Sequence, residues 1–282
     1  MKKFIYFLTV CFLFLSTLTY SQTYKELIKK YESIKNSENY DEIVSILTLV
    51  INKYPNEKDI YLVYNNRGIA YTDKEEYDSA ILDFGRCFKL NPDYVELYNN
   101  LGLAFDGDED YEHAIESYSY AIELNTSYDE AYYNRALTYR DLKQFDKAIT
   151  DLSLAIKYNP DDNDYYYYRA LCYVDSRSFN KAIPDFNSSI KLDDKDAESY
   201  FYRGFCYHQL MDYNRAVSDY TKAIELNIPE LDNAYYTRGL VYIINGKYKE
   251  GIDDWEYAIK LNPDLEENLR NGINTAKEKL NK

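Results

Sequence analysis

Small residues recur along the chain at a fixed interval, each within the same pattern of apolar and polar neighbours. An aromatic residue lies four positions before each of them and another lies three positions after, and a second small residue follows twelve positions later. A fixed period of this length is typical of stacked supersecondary units. The recurring residues are 34 positions apart, with one extra residue before the last: Gly68, Gly102, Ala136, Ala170, Gly204 and Gly239.

One block of the pattern predicts a pair of helices. Tyr64, Gly68 and Tyr71 have i, i+4, i+7 spacing, which places them on one stripe of a helix. A second stripe with the same spacing runs from Ala80 to Cys87, and polar residues between the stripes supply a turn. Neither helix can bury its stripe alone, so the blocks are expected to stack. The pattern therefore predicts an all-α fold.

The sequence resembles the tetratricopeptide repeat (TPR) family, whose pattern is W-x2-L-G-x2-Y, then A-x3-F, then P. Tyrosine replaces the opening tryptophan in every block. The resemblance implies a right-handed superhelical solenoid of TPR helix-turn-helix repeats that binds proteins and is not an enzyme. In the last block the residues that carry it are Tyr235, Gly239, Tyr242, Gly251, Trp255, Ala258 and Pro263.

The same frame predicts the domain organisation. We expect a signal peptide at 1–21, a degenerate N-terminal TPR-like repeat at 22–60, six TPR repeats at 61–265 and a C-terminal capping helix at 266–282. A helix with a polar outer face is what the end of a solenoid requires. The predicted apolar stripe of the cap consists of Leu265, Leu269, Ile273, Ala276 and Leu280.

The N-terminus has the pattern of a secretory signal peptide. Lys2 and Lys3 precede an apolar run over 4–15, and Thr19 and Ser21 are suitable for cleavage before Gln22. An uncleaved membrane anchor is the alternative, but this run is shorter than the roughly 20 apolar residues that a span needs. We expect a bacterial protein that is exported to the periplasm or the exterior and is soluble after cleavage.

The charge of the chain restricts its partners. Loss of residues 1–21 removes two lysines and no acid, which changes the net charge from -15 to -17. Nucleic-acid binding normally needs a basic stripe, and the sequence has none. We expect a protein or peptide partner of neutral or basic character. The alternatives are self-assembly into a homo-oligomer, or a role as an accessory subunit of a cell-envelope enzyme or secretion complex.

Arginine stands one residue before the recurring small residue in five blocks, and aspartate stands on the second helix of the same five. The remaining block has Leu101 and Ser117 in these places. Because the two residues occur together, we interpret them as an ion pair between the two helices. A row of phosphate-binding arginines is less favoured, because each arginine has its own acid. The predicted pairs are Arg67–Asp83, Arg135–Asp151, Arg169–Asp185, Arg203–Asp219 and Arg238–Asp254.

The resemblance assigns a function to another face of the first helix. The second, fifth, ninth and twelfth places of each block line the family's concave groove, which binds extended peptides or partner helices. Amides can pair with a peptide backbone, and aromatic rings stack on Arg, Lys or Pro. We expect an extended, neutral-to-basic segment there; the alternative is that the abundant tyrosines are ordinary surface. The candidate partner-binding residues are Asn65, Asn66, Glu96, Asn99, Asn100, Glu130, Tyr133, Asn134, Asp164, Tyr167, Glu198, Phe201, His208 and Tyr236.

The sequence has no HExxH motif and no paired CxxC motif. The acidic stretch 106–110 is similar to a calcium loop, but Tyr111 and Ser117 stand where that loop needs Gly and Glu. We therefore expect no catalytic residue, no metal site and no cofactor. Cys87 occupies a small-residue position, which predicts a buried thiol. A disulfide between Cys172 and Cys206, one repeat apart, is the alternative for those two residues.

Overall fold

A computed structural model describes residues 23–281. The chain packs as two compact units, the first ending at Thr138 and the second beginning at Tyr139. The helices that begin in the first unit are α1 (23–34), α2 (Tyr40–Lys53), α3 (Ile60–Asp73), α4 (Tyr77–Leu90), α5 (Val95–Gly107), α6 (Tyr111–Leu124) and α7 (Asp129–Asp141), and the division lies within α7. Predicted signal residues 1–21 lie outside the described part of the chain.

The second unit continues the alternation of helices and short turns. Its elements are α8 (Phe145–Tyr158), α9 (Asn163–Asp175), α10 (Phe179–Leu192), α11 (Ala197–Gln209), α12 (Tyr213–Glu225), α13 (Leu231–Ile244), α14 (Tyr248–Leu261), a 3-10 turn (Pro263–Leu265) and α15 (Glu266–Leu280). Residues 23–281 contain no strand. The predicted all-α, helix-turn-helix repeat fold is confirmed. No helix within these residues is both long and apolar enough to cross a bilayer.

Small residues and rings interlock the two helices of a repeat. A Cβ atom added to Gly102 of α5 would lie 2.5 Å from a ring carbon of Tyr118 on α6. Gly68 has the same relation to Phe84, at 2.6 Å. Phe84 and Tyr118 are buried. The predicted close approach of the two helices, with aromatic rings filling the contact, is confirmed.

At the N-terminal end, large aliphatic residues form the helix contacts that small residues and aromatic rings form in the later repeats. Ile43, Leu47 and Val50 of α2 are buried and pack with Val63 of α3. Partly buried residues of α1, among them Leu27, also pack against this cluster. Large aliphatic side chains thus stand here in place of the small residues of the pattern.

The turn within each repeat contains a residue in the left-handed region. Glu75, Glu109, Lys143, Arg177 and Met211 have φ between 57° and 62°, and the equivalent Gly246 has φ 77°. The N–H of the next residue bonds back to a carbonyl of the preceding helix, as from Gln144 to Tyr139 at 2.7 Å. This is a Schellman-type helix end, for which glycine is the usual residue.

We expect Lys143→Gly to raise the free energy of unfolding by about 0.5–1 kcal/mol. A non-glycine residue is strained in the left-handed region, and relief of that strain outweighs the extra chain entropy of glycine in the unfolded state. Urea denaturation followed by circular dichroism measures the change. Lys143→Ala is the control, since alanine keeps the strain. Equal midpoints for the two variants would contradict the explanation.

The last helix, α15, covers the end of the second unit. Leu269, Ile273 and Ala276 are buried against α14, where they pack around Trp255. Leu280 is 50% exposed, so the buried stripe ends one turn before the sequence predicted.

Candidate functional site

Four of the predicted ion pairs form within the repeats. In α9, Arg169 donates from Nε and Nη2 to the two carboxylate oxygens of Asp185 at 2.8 and 2.7 Å. The aspartate side chain is only 9% exposed, so the pair is largely removed from water. The other three bidentate pairs are Arg67–Asp83, Arg203–Asp219 and Arg238–Asp254. These arginines are occupied within the fold, as the ion-pair interpretation predicted.

Each guanidinium also contacts the preceding repeat, a feature that sequence reasoning missed. Nη1 of Arg169 donates to the hydroxyl of Ser153 on α8 at 3.0 Å. The signal was present in the sequence for the later repeats, because Ser119, Ser153, Asn187 and Thr221 stand 34 positions apart on successive second helices, whereas Thr48 lies outside this spacing. The corresponding bonds join Arg67 to Thr48, Arg135 to Ser119, Arg203 to Asn187 and Arg238 to Thr221. Arg135 and Asp151 belong to different units, and their pairing stays a prediction.

In the first unit, the predicted groove positions carry amides that bond to one another. Nδ2 of Asn100 donates to Oδ1 of Asn65 at 3.0 Å, and Nδ2 of Asn134 donates to Oδ1 of Asn99 at 2.9 Å. Asn65 and Asn99 are buried by these contacts between successive first helices. Their acceptor oxygens are therefore used within the fold.

The other predicted residues of this unit are more accessible. Glu96 and Glu130 are exposed, and Asn66, Asn100, Tyr133 and Asn134 are half-buried. The two carboxylates have the same place on α5 and α7, so both of these helices present an acid beside their amide or aromatic residue.

In the second unit, aromatic residues replace the amides. Tyr167 is buried, packs edge-on against Phe186, and donates its hydroxyl to Oε2 of Glu198 at 2.7 Å. Burial, and next the bond to Glu198, raise the pKa of Tyr167, so the phenol stays protonated. Phe201 and Tyr236 are half-buried, and Asp164 and Glu198 are exposed. The hydroxyl bond thus fixes the position of an exposed carboxylate.

A small pocket lies beside Glu198, at the point where the repeat gains its extra residue. Its volume is about 110 Å³, and Phe201, Tyr202, Glu230 and Asn233 also line it. The added residue ends α12 early: the N–H of Ile228 bonds to the carbonyl of Ala223 at 3.1 Å. Two carboxylates and two aromatic rings therefore surround one small opening, an arrangement suited to a cationic side chain.

His208, the remaining predicted residue, lies near the end of α11. Its Nδ1 atom is buried and has no hydrogen-bond partner among the described residues. Burial lowers the pKa of His208, so the ring is neutral at physiological pH. Its ring centroid is 6.2 Å from that of Tyr213. Nothing in this arrangement supplies a charge partner for an acid–base reaction.

The ninth place of each block carries an apolar residue that our list of candidates omitted. Leu103, at this place on α5, is 40% exposed. The spacing alone could have identified the row, since it lies on the same stripe as the second and fifth places. Its members are Ile69, Leu103, Leu137, Leu171, Phe205 and Leu240.

No group of three potential metal-binding side chains occurs among residues 23–281. Within the calcium-like stretch, Asp106 accepts a bond from Thr138 at 2.6 Å and Asp110 caps the N-terminus of α6. Both carboxylates therefore have structural partners.

Cys87, Cys172 and Cys206 are buried free thiols, which confirms the packing interpretation over the disulfide. Burial raises the pKa of all three to about 12. We expect them to resist iodoacetamide at pH 8 in the folded protein, because the reactive thiolate is scarce there. In urea their pKa returns to about 8.5 and they should react. Mass spectrometry of the three cysteine peptides measures this, and labelling of native protein at the urea rate would contradict it.

Sequence models of the tetratricopeptide repeat match most of this array. One model matches residues 61–94, 129–162 and 197–227, and two others of the same description match 95–128 and 232–265. Together they cover more than half of the chain. The chain belongs to the tetratricopeptide repeat family. It is accordingly a protein-interaction scaffold, and its fold is typical of proteins without catalytic activity.

Solved structures share the fold of this TPR protein. The C-terminal part of a TPR protein from Cytophaga hutchinsonii has a TM-score of 0.68 at 21% identity, over 83% of this chain and 95% of that one. A TPR protein from Parabacteroides merdae gives 0.62 at 20% identity, over 92% and 98%. YrrB, described as a TPR protein with an unusual peptide-binding site, gives 0.58 at 22% identity, over 64% and 93%. Among curated proteins, no relative matches.

Proposed function

We propose that this TPR protein is an exported scaffold that binds an extended, neutral-to-basic segment of a partner protein at those predicted groove residues that are not buried. The pocket between Glu198 and Glu230 carries the proposal. It sets two carboxylates around the rings of Phe201 and Tyr202. Such a pocket favours a lysine or arginine side chain over an acidic one, by charge and by cation–π attraction.

Two further features support an extended ligand. Glu96 and Glu130 in the first unit have the same place on their helices as Glu198 has on α11, and all three are exposed. The exposed apolar side chain of Leu103 lies on the stripe of Glu96. YrrB, built on the same fold, has a peptide-binding site. The family resemblance includes proteins that hold acidic C-terminal tails with lysines, but Glu96, Glu130 and Asp164 stand at those places here, which argues against an acidic tail as the ligand.

The export part of the proposal rests on the basic, apolar and small-residue regions of 1–21. Mass spectrometry of the protein from the envelope fraction tests it. We expect a mature N-terminus at Gln22; an intact N-terminus in a membrane pellet would instead indicate an uncleaved anchor.

Binding is tested by selecting extended peptides from a display library on the full protein. The best peptide is then titrated by calorimetry against Glu198→Gln/Glu230→Gln. We expect basic peptides and a loss of affinity of about tenfold in the double variant, because two rim charges contribute about 1.4 kcal/mol. Glu112→Gln/Glu123→Gln removes the same net charge from the exposed surface of α6 and is the matched control.

Selection of acidic peptides, or equal losses in the two double variants, would refute this site. The two alternative functions have their own readouts. A sedimentation coefficient that rises with concentration would indicate self-assembly. Co-purification of a catalytic subunit, unaffected by Glu198→Gln/Glu230→Gln, would favour the accessory-subunit alternative.

A further inference from the structure

The first unit contains an apolar cavity that lies away from the predicted groove residues. It has a volume of about 350 Å³ and lies between α4, α5 and α6. On α5 it is lined by Tyr98, Leu101 and Phe105, which follow an i, i+3, i+7 spacing. Glu96 and Leu103 project from roughly the opposite side of that helix, since each residue turns about 100°. The cavity is therefore separate from the proposed groove.

The cavity occurs in the one repeat that lacks the arginine–aspartate pair. Leu101 replaces the arginine, Ser117 replaces the aspartate, and Gly85 replaces the hydroxyl or amide residue of the preceding helix. All three line the cavity. A Cβ atom added to Gly85 would have no other atom within 4 Å, so the space beside it is open. The full set of three changes thus leaves room where other repeats hold a guanidinium.

The aromatic residues that surround that guanidinium elsewhere are still present. In the last repeat, the guanidinium carbon of Arg238 lies 5.3 Å from the ring centroid of Tyr235 and 5.8 Å from that of Tyr242. Tyr98 and Phe105 occupy the same two places around Leu101. The repeat has therefore kept a pair of rings that binds an arginine in its neighbours, while its own arginine is gone. His113 also lines the cavity and stacks on one side of Phe105 at 5.2 Å between ring centroids, and it is held there by Asp110.

Further rings and a carboxylate extend this surface. Tyr98 packs against Phe88 at 6.4 Å and against Tyr120 at 5.8 Å between ring centroids. Phe88 and Tyr120 are 49% and 48% exposed, so they form an accessible rim. Glu116 of α6 also lines the cavity and is exposed. Aromatic faces attract organic cations, and a nearby carboxylate adds an opposite charge.

We propose that this cavity binds an arginine side chain of a partner protein, with an apolar neighbouring residue against the rim. The guanidinium takes the place between Tyr98 and Phe105 that an internal arginine has in other repeats, and Glu116 supplies the opposite charge. The apolar neighbour covers Phe88 and Tyr120. The acidic net charge of -15 favours approach of such a partner. The partner would thus hold the scaffold at a second site, independent of the groove ligand.

The test uses the blocked dipeptide acetyl-Phe-Arg-amide and its neutral isostere, in which citrulline replaces arginine. Binding to the full protein is followed by NMR titration. We expect the arginine peptide to bind about tenfold more tightly, because the two probes differ in charge and hardly in shape. Gly85→Ser/Leu101→Arg/Ser117→Asp restores the set of residues found in the other repeats, and this variant should abolish binding while keeping its helical circular dichroism.

Glu116→Gln provides a second variant on the exposed surface, with little risk to folding. It should lower the affinity for the arginine peptide and leave the citrulline peptide unchanged, whereas Glu112→Gln on the same helix should change neither. Equal affinity for the two peptides would overturn the cation assignment. Binding that survives the triple variant, or no binding to the unmodified protein, would overturn the site. None of these outcomes depends on Glu198 or Glu230, so the cavity and the groove are tested independently of each other.

Discussion

Replacing Arg169 with leucine is expected to destabilise the protein by about 3–5 kcal/mol, because it leaves the carboxylate of Asp185 buried without its partner. Both carboxylate oxygens accept from this one guanidinium, at 2.8 and 2.7 Å. The substitution also removes the bond from Arg169 to Ser153 on the preceding repeat. Urea denaturation followed by circular dichroism at 222 nm measures the loss.

The double variant Arg169→Leu/Asp185→Ser is the matched control, because the chain already uses Leu101 and Ser117 at these places. It removes the unpaired charge along with its partner, so most of the stability should return. A double variant no more stable than Arg169→Leu alone would show that the cost comes from lost packing and not from the stranded carboxylate.

Trp255→Ala is the second change with a large expected effect, again about 3–5 kcal/mol. The indole ring lies between α13 and α15, and each of these helices has a glycine where it contacts the ring. A Cβ atom added to Gly239 would lie 2.7 Å from the ring, and one added to Gly272 would lie 2.9 Å from it. Leu269 and Ile273 of α15 pack around the same ring. Without the indole, α15 loses the surface on which it is buried.

Hydrogen exchange measured by mass spectrometry locates this effect. Amides of α15 should lose protection in Trp255→Ala, while those of α9 keep theirs. Trp255→Phe is the control: it retains a ring but loses the 3.0 Å bond from Nε1 to the carbonyl of Tyr236, for a cost of about 1 kcal/mol. Uniform loss of protection over the second unit would contradict the local explanation.

The sequence predicted those features that depend on spacing within a repeat. The helix pair around Gly68 and Phe84 follows from the 3.6-residue period, and the ion pair of Arg169 and Asp185 follows from their joint occurrence. Both are short-range consequences of two helices joined by a fixed turn. The structure therefore repeats them wherever the residues repeat.

Contacts between repeats were harder to predict. Asn65 and Asn99 were expected to be open to a ligand, yet they are buried. Their burial depends on the distance between successive first helices, which a periodic sequence does not specify. Likewise, the extra residue before Gly239 was visible in the sequence. Its effect was not, because only the structure shows that α12 ends early and that Glu230 and Glu198 line the same pocket.

The bond from each of these arginines to the preceding second helix has a consequence for how the array melts. In a repeat protein, stability is a sum of terms for the repeats and terms for the interfaces between neighbours. Arg67 and Arg169 each add a bond to the interface with the repeat before them, whereas Leu101 adds none across to Gly85. The interface between α4 and α5 is therefore weaker in this respect. On heating, the helices before α5 should unfold as a separate cooperative block, so that the chain loses one end while the remainder stays folded.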